Sequence, residues 1–218
     1  MTSAYLHKAG NKELILFFNG WGMDHHRFET WPCRTYDLLA VHDYTHLEAL
    51  PDLSAYSKVH LVAWSLGVWA AAKVLEGSSI AARLSSALAI NGTLTPIHPQ
   101  EGISPEVFSG TIGNWSDDRA REKFGIRVSG TTESFSRRST ESQVEELMAL
   151  HRILSTARPP ANIFTHALIS SRDRIFPPAA LRSFWSKHPA VRMLEKPFLH
   201  DPFVSLNTWE EVLALAKA

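Results

Sequence analysis

The 218-residue chain has a single cysteine, Cys33. No disulfide can form within it, which suits a reducing compartment and leaves Cys33 as a space-filling side chain. Long apolar runs are missing too, since none approaches the roughly 18 residues of a membrane span. The opening stretch, MTSAYLHKAGNKE, lacks the apolar core of an export signal. The expectation is a cytoplasmic protein that needs no membrane. Net charge is also absent, 22 Lys and Arg balancing 22 Asp and Glu. A neutral chain offers no global field to nucleic acid, so a charged partner must be met by a local patch. There is no internal repeat and no low-complexity tract. The length suits one sizeable core with an insertion, and a monomer is expected.

What is present is alternation. Apolar runs at 13–19 (ELILFFN), 35–41 (TYDLLAV), 58–64, 86–91 (SALAIN), 164–170 (FTHALIS) and 191–196 predict strands. Helical signals fall at 66–76, 178–187 and 208–217. Continuous apolar strands alternating with helices predict a mainly parallel sheet covered on both faces. The stretch from about 96 to 160 breaks this rhythm. Pro96, Pro99, Pro159 and Pro160 flank it, and it carries helical pieces at 116–124 and 142–154. It reads as a helical lid insertion in a single domain spanning 1–218. Two ordinary crossover helices with long loops are the plainer alternative.

The segment HLVAWSLGVWAA at 60–71 places Ser65 between a strand and a helix with almost no loop. Such a turn pushes one side chain out and needs small residues two before and two after it, here Ala63 and Gly67. A serine on this turn, at the carboxyl end of a parallel sheet, is the nucleophile elbow of the α/β-hydrolase fold. Alanine replaces the first glycine of the usual Gly-x-Ser-x-Gly pattern. The hydroxyl needs a base, and the fold orders its groups Ser, acid, His. Asp173 sits just past the run at 164–170, and His200 lies between the last strand and the last helix. Asp201 adjoins His200 but cannot readily turn back to its imidazole. The other acid position of the fold, after the run at 86–91, holds Asn91, which carries no charge. His25 and His26, beside Asp24, could suggest a metal site, but no third ligand has obvious spacing. They are read as loop residues, and His151 as a partly exposed helical one. No metal and no cofactor are expected. Two amides complete the constellation, the N–H of Leu66 after the nucleophile and that of Trp21 in the Asn19-Gly20-Trp21-Gly22 loop. Each such oxyanion donor is worth roughly 3–4 kcal/mol of barrier. An ordinary tight turn is the plainer reading of that loop.

LILFFNGWGMD, VAWSLGVWAA and FLHDPF together resemble the BioG type of pimeloyl-[acyl-carrier protein] methyl ester esterase, and more distantly the BioH esterases of the same biotin-pathway step. The likeness covers about 13–93 and 164–203, with NWSDDRAREKF at 114–124 the recognisable piece of the insertion. Asn19 stands where many α/β-hydrolases have His. The first strand motif starts so near the N-terminus that the early antiparallel strands of larger hydrolases are expected to be missing, leaving a reduced N-terminal set of strands. The resemblance implies removal of a methyl ester from a pimeloyl chain held on acyl carrier protein. By position it makes Ser65 the nucleophile, His200 the base and Asp173 its orienter, with Trp21 and Leu66 on the oxyanion side. Phe124 aligns with an aromatic enclosing the acyl chain. Trp21 and Trp64 could line the same channel, although Trp64 serves equally well as core. An acidic carrier protein calls for a basic lid face. Over 119–138, Arg119, Arg121, Lys123, Arg127, Arg137 and Arg138 face only Glu122 and Glu133. Arg119, Arg121 and Arg127 are the expected docking residues, with a merely solvated helix face as the alternative. A general small-molecule carboxylesterase and a non-catalytic binding protein of the same fold are the competing functions.

Overall fold

The computed structural model describes residues 1–134 and 136–217. In chain order the strands are β1 (Thr2–His7), β2 (Glu13–Phe18), β3 (Asp37–His42), β4 (Lys58–Trp64), β5 (Leu84–Ile90), β6 (His166–Ser170) and β7 (Arg192–Lys196). They form one sheet ordered β1-β3-β2-β4-β5-β6-β7. Only the β1–β3 pair is antiparallel; every other neighbouring pair is parallel. This is the mainly parallel sheet of an α/β-hydrolase. Strand β2 explains the run ELILFF. Leu14, Leu16 and Phe18 point to one face, while Ile15 and Phe17 point to the other, and all five are fully buried. The first face packs under α1 (Leu66–Leu75) and α5 (Pro178–Trp185) through residues such as Val68, Trp69, Leu181 and Trp185. The second gathers Phe28, Phe203 and Trp209 around Phe17, with α6 (Trp209–Ala214). Phe17 meets those three rings at centroid distances of 5.2, 5.6 and 5.0 Å in edge-on geometry, an arrangement favoured by ring quadrupoles.

One antiparallel strand, β1, precedes β2, so the early strands are reduced and not wholly missing. It is a half-exposed edge, too weakly apolar to stand out in sequence. Strand β3 starts at Asp37, not at 35, because the buried Asp37 carboxylate accepts the N–H groups of Ala9 and Asn11 and so fixes the strand start. Cys33 is buried, its Sγ directed to the Tyr36 carbonyl at 3.3 Å, and burial pushes its thiol up to about 11.

Between β5 and β6 lie three helices, α2 (Pro105–Asn114), α3 (Asp118–Ser129) and α4 (Thr140–Leu154). The sequence reading caught parts of the last two and missed α2, although its start is marked. Ser104 caps it by accepting the Val107 N–H, and Pro105 occupies its first turn. Gly130, at φ +82°, ends α3 in the left-handed conformation that glycine adopts freely. No helix among the described residues is long and apolar enough to cross a membrane.

Candidate active site

Strand β4 delivers Ser65 directly to α1. Its backbone sits at φ 58°, ψ −127°, a conformation that L side chains rarely adopt and that costs about 1–3 kcal/mol. Surrounding packing holds it there. The Ser65 N–H donates to the Ile90 carbonyl at 2.8 Å. A Cβ on Gly67 would lie 2.4 Å from the Asn19 carbonyl oxygen and 2.6 Å from that of Phe18. A Cβ on Gly92 would lie 2.2 Å from the Ser65 carbonyl oxygen. Gly67 thus meets the need for a small residue that the pattern implied. Gly92, on the neighbouring strand exit, is a second such requirement that the pattern did not announce.

Three distant side chains meet here. His200 Nε2 lies 3.0 Å from Ser65 Oγ, and His200 Nδ1 lies 2.8 Å from Asp173 Oδ2. All three residues are buried. The other Asp173 oxygen, Oδ1, accepts the N–H groups of Ile175 and Phe176 at 2.7 and 3.0 Å. The carboxylate therefore has one oxygen fixed by backbone and one left for imidazole. A neutral His200 with its proton on Nδ1, facing the carboxylate, presents a lone pair on Nε2 to the serine hydroxyl. Such an arrangement can take up the hydroxyl proton as the oxygen attacks an acyl carbon.

Several residues hold the histidine loop, and the sequence reading had not given them that role. Asn91, at φ 48°, donates to the His200 carbonyl and to Ser170 Oγ, both at 2.7 Å, and accepts the Ser170 N–H at 2.8 Å. It ties the strand that precedes Asp173 to the loop carrying His200. Asp201 faces away from the imidazole into a buried pair with Arg27, while its Oδ1 accepts the Phe203 N–H at 2.9 Å. Burial pushes the Asp201 carboxyl up, and the Arg27 charge opposes that shift. Trp64 donates its indole N–H to the His200 carbonyl at 2.9 Å, and its ring packs 5.5 Å from the imidazole. Phe176 stacks on the imidazole at 6.0 Å. Trp64 therefore supports the core and lines the cleft at once.

That cleft, a narrow one with about 60 Å³ of enclosed space, contains Ser65 and His200 and is walled by Trp21, Trp64, Leu66, Phe108, Phe124 and Leu147. Trp21 and Phe124 meet edge-on at 5.6 Å, and Phe124 meets Trp115 at 5.1 Å. Gly20 and Trp21 lie on the cleft wall with Leu66. Neither the Trp21 nor the Leu66 amide N–H has a hydrogen-bond acceptor among the described residues. Arg127 and Arg174 are exposed at the rim. Arg119 is exposed on α3. Arg121 is partly withdrawn from the surface, pairing with Asp118 and donating to the Trp115 carbonyl. Arg138 corrects the count of the basic face. Its side chain is buried in ion pairs with Glu146 and with Asp43, the latter at 3.2 Å, so it is no part of a surface.

A third group does stand beside His25 and His26. Glu29 Oε1 lies 3.7 Å from His25 Nε2. The two imidazoles are nevertheless stacked, 4.4 Å apart at an angle of 21°. Nitrogen lone pairs lie in the ring planes, so nearly parallel rings at that spacing do not converge on one ion at the ~2 Å of a metal–nitrogen bond.

A mainly parallel sheet, a strained serine between strand and helix, and an acid and a histidine on later strand exits define an α/β-hydrolase. The likeness extends across distant esterases of that fold. One from Exiguobacterium antarcticum is 13% identical with a TM-score of 0.66, over 99% of this chain and 95% of that one. The chain belongs to the BioG family, whose description reads pimeloyl-ACP methyl esterase BioG and whose model matches residues 1–212. The crystal structure of BioG from Haemophilus influenzae superposes with a TM-score of 0.86 at 33% identity, covering 99% of this chain and all of that one. A malonyl-[acyl-carrier protein] O-methyltransferase of Bacteroides fragilis is 37% identical over 185 residues. That match takes in 81% of this chain but spans only 37% of the Bacteroides protein.

Proposed function

We propose that this chain is a serine esterase that removes the methyl group from pimeloyl-[acyl-carrier protein] methyl ester in biotin synthesis, releasing methanol. The hydrogen-bonded chain Ser65–His200–Asp173 beneath an apolar cleft, in a member of the BioG family, carries this reading. Ser65 Oγ attacks the ester carbonyl carbon while His200 Nε2 takes its proton. The amides of Trp21 and Leu66 receive the negative charge that develops on the carbonyl oxygen. The imidazolium, steadied by Asp173, returns the proton to the departing methoxide, and methanol leaves. Water then gives a proton to Nε2 and its oxygen to the acyl-serine; the imidazolium returns that proton to Ser65 Oγ as it leaves, and the acid released loses its own proton to solvent as a carboxylate.

The substrate assignment rests on the family and on the apolar lining of the cleft. Trp21, Phe124, Phe108 and Leu147 offer an apolar bed for a long methylene chain. Arg119 and Arg127 sit exposed on α3, where an acidic carrier protein could dock. The Bacteroides relative is named for O-methylating a malonyl group on acyl carrier protein, a step that installs the kind of ester this reaction would remove. A general carboxylesterase is the second reading. It gains from the burial of Arg138 and the internal pairing of Arg121, both of which thin the basic face. The test is methanol release from methyl pimeloyl-acyl carrier protein by purified protein, with Ser65→Ala as control. Turnover should fall on the order of 10⁶-fold in the variant. Hydrolysis of small esters with none of the carrier-bound ester would move the assignment to the second reading.

A further inference from the structure

The loop that carries Trp21 is clamped from two directions. From the sheet, the Asn19 N–H donates to the Val41 carbonyl at 2.9 Å, and the Tyr44 hydroxyl donates to the Asn19 carbonyl at 2.7 Å. From the insertion, α4 takes the other end. Glu146 Oε2 accepts the Gly22 N–H at 3.0 Å, and its Oε1 accepts the Tyr44 N–H at 2.9 Å. One turn earlier, Gln143 Nε2 donates to the Gly22 carbonyl at 3.0 Å, and the Gln143 backbone carbonyl accepts the Trp21 indole N–H at 2.7 Å. Both backbone polar groups of Gly22, held at φ +74°, are therefore engaged by a helix more than a hundred residues away in the chain.

Glu146 is fully buried. A cover for an acyl chain needs no carboxylate, and a buried charge is expensive unless paired and hydrogen-bonded. This one is satisfied twice over, by two backbone amides and by Arg138, which in turn is fixed by Ser142 and Asp43. The structure assigns Glu146, assisted by Gln143, as the positioning residue that sets the Gly22 peptide and thereby aims the Trp21 amide at the reacting carbonyl oxygen. The inference rests on the reading of Trp21 as an oxyanion donor. It makes α4 part of the reaction machinery as well as a wall of the cleft.

The test uses Glu146→Gln in the full chain with a short soluble ester. The amide is isosteric but keeps only one oxygen: placed at Oε2 it holds the Gly22 N–H and Arg138 and turns its NH₂ on the Tyr44 N–H, and placed at Oε1 it releases the Gly22 N–H. Active sites are counted by fluorophosphonate labelling, so that misfolded protein does not enter kcat. A trifluoromethyl ketone, whose serine adduct carries the oxyanion, supplies the specific readout. In Glu146→Gln, kcat per labelled site should fall about 10- to 100-fold, the size expected when a catalytic group is misplaced. KM should stay within about threefold, because ground-state contacts are untouched. The ketone Ki should rise in proportion to the loss in kcat/KM. Gln143→Met, which keeps the Glu146–Arg138 pair, should show the same signature at smaller size and serves if Glu146→Gln does not fold. Unchanged kcat per labelled site and unchanged Ki in both variants, with only a lower Tm, would overturn the inference and leave Glu146 and Gln143 fold-supporting residues. A wild-type enzyme that binds the ketone no better than it binds substrate would instead remove the oxyanion reading beneath it.

Discussion

Asp173→Asn probes the acid most sharply, because the structure dictates how the amide must sit. Asp173 Oδ1 accepts two backbone N–H groups, from Ile175 and Phe176. An asparagine must keep its carbonyl oxygen there, since turning the NH₂ toward two donors would orphan all of them in a buried site. The NH₂ then replaces Oδ2, 2.8 Å from His200 Nδ1. A donor in that place forces Nδ1 to become the acceptor and moves the imidazole proton to Nε2. Nε2 now carries a proton toward Ser65 Oγ and cannot accept one. The fold is retained while the base is lost, and the expected fall in kcat is roughly 10⁴-fold, or about 5.5 kcal/mol of barrier. Asp201→Asn is the paired control. It breaks the Arg27–Asp201 ion pair and should lower Tm, with kcat per active site nearly unchanged. Ester hydrolysis normalised to active-site labelling, read beside thermal melts, separates the two outcomes. If Asp201→Asn abolishes turnover and Asp173→Asn does not, the wrong carboxylate has been assigned to His200.

Three further outcomes are expected. Replacing Arg119 and Arg127 by Ala should lower kcat/KM on a carrier-bound ester and flatten its salt dependence, because exposed charges act on encounter and are screened within about 10 Å at 0.1 M salt; small-ester hydrolysis should hold, and equal losses on both substrates would point to a structural role. Gly67→Ala places a Cβ 2.4 Å from the Asn19 carbonyl oxygen, so melts should show at least about 1–3 kcal/mol of lost stability, with activity falling as the Trp21 loop is pushed aside. Burial, with the nearby His25 and Arg138 charges, pushes the His42 imidazole down to about 4, against about 6.5 in an unfolded chain. The stability from keeping His42 neutral is complete above about pH 6.5 and lost as pH falls toward 4, about 3 kcal/mol in all. The slope of Tm against pH in that window should shrink in His42→Leu, and an unaltered slope would show that other groups set it.

Local pattern carried the reading of the sheet and of the three residues that meet at its edge. Ser65, Asp173 and His200 each follow an apolar run, and the order of the groups along the chain is a property of the fold. Their supports were harder to see, since each works through a partner remote in sequence. Asn91 was legible only as a residue unable to carry charge, yet its amide ties Ser170 to the His200 loop. Arg138 resembled its exposed neighbours because an ion pair leaves no mark on composition. Glu146 did leave a signal. Gln143, Glu146, Leu147 and Leu150 fall on one helical stripe and are all buried. A carboxylate within such a stripe asks for a partner, although the identity of that partner, the Gly22 amide, is written only in three dimensions.

The placement of the insertion between β5 and β6 has a consequence for how the molecule comes into being. Strands β2 to β5 with α1 join through near neighbours in the chain, so the serine turn belongs to a part that can assemble early. The pairing of β5 with β6 must wait until the ends of the whole insertion are brought together, a closure paid in chain entropy. Asp173, His200 and both of their loops lie beyond that closure. During synthesis, Ser65 is thus housed before His200 has emerged, and on the proposed reading the nascent chain stays chemically silent until its last quarter docks. Pulse-labelled hydrogen exchange should register this as early protection of β2, β4 and β5, with β6 and β7 protected together and later.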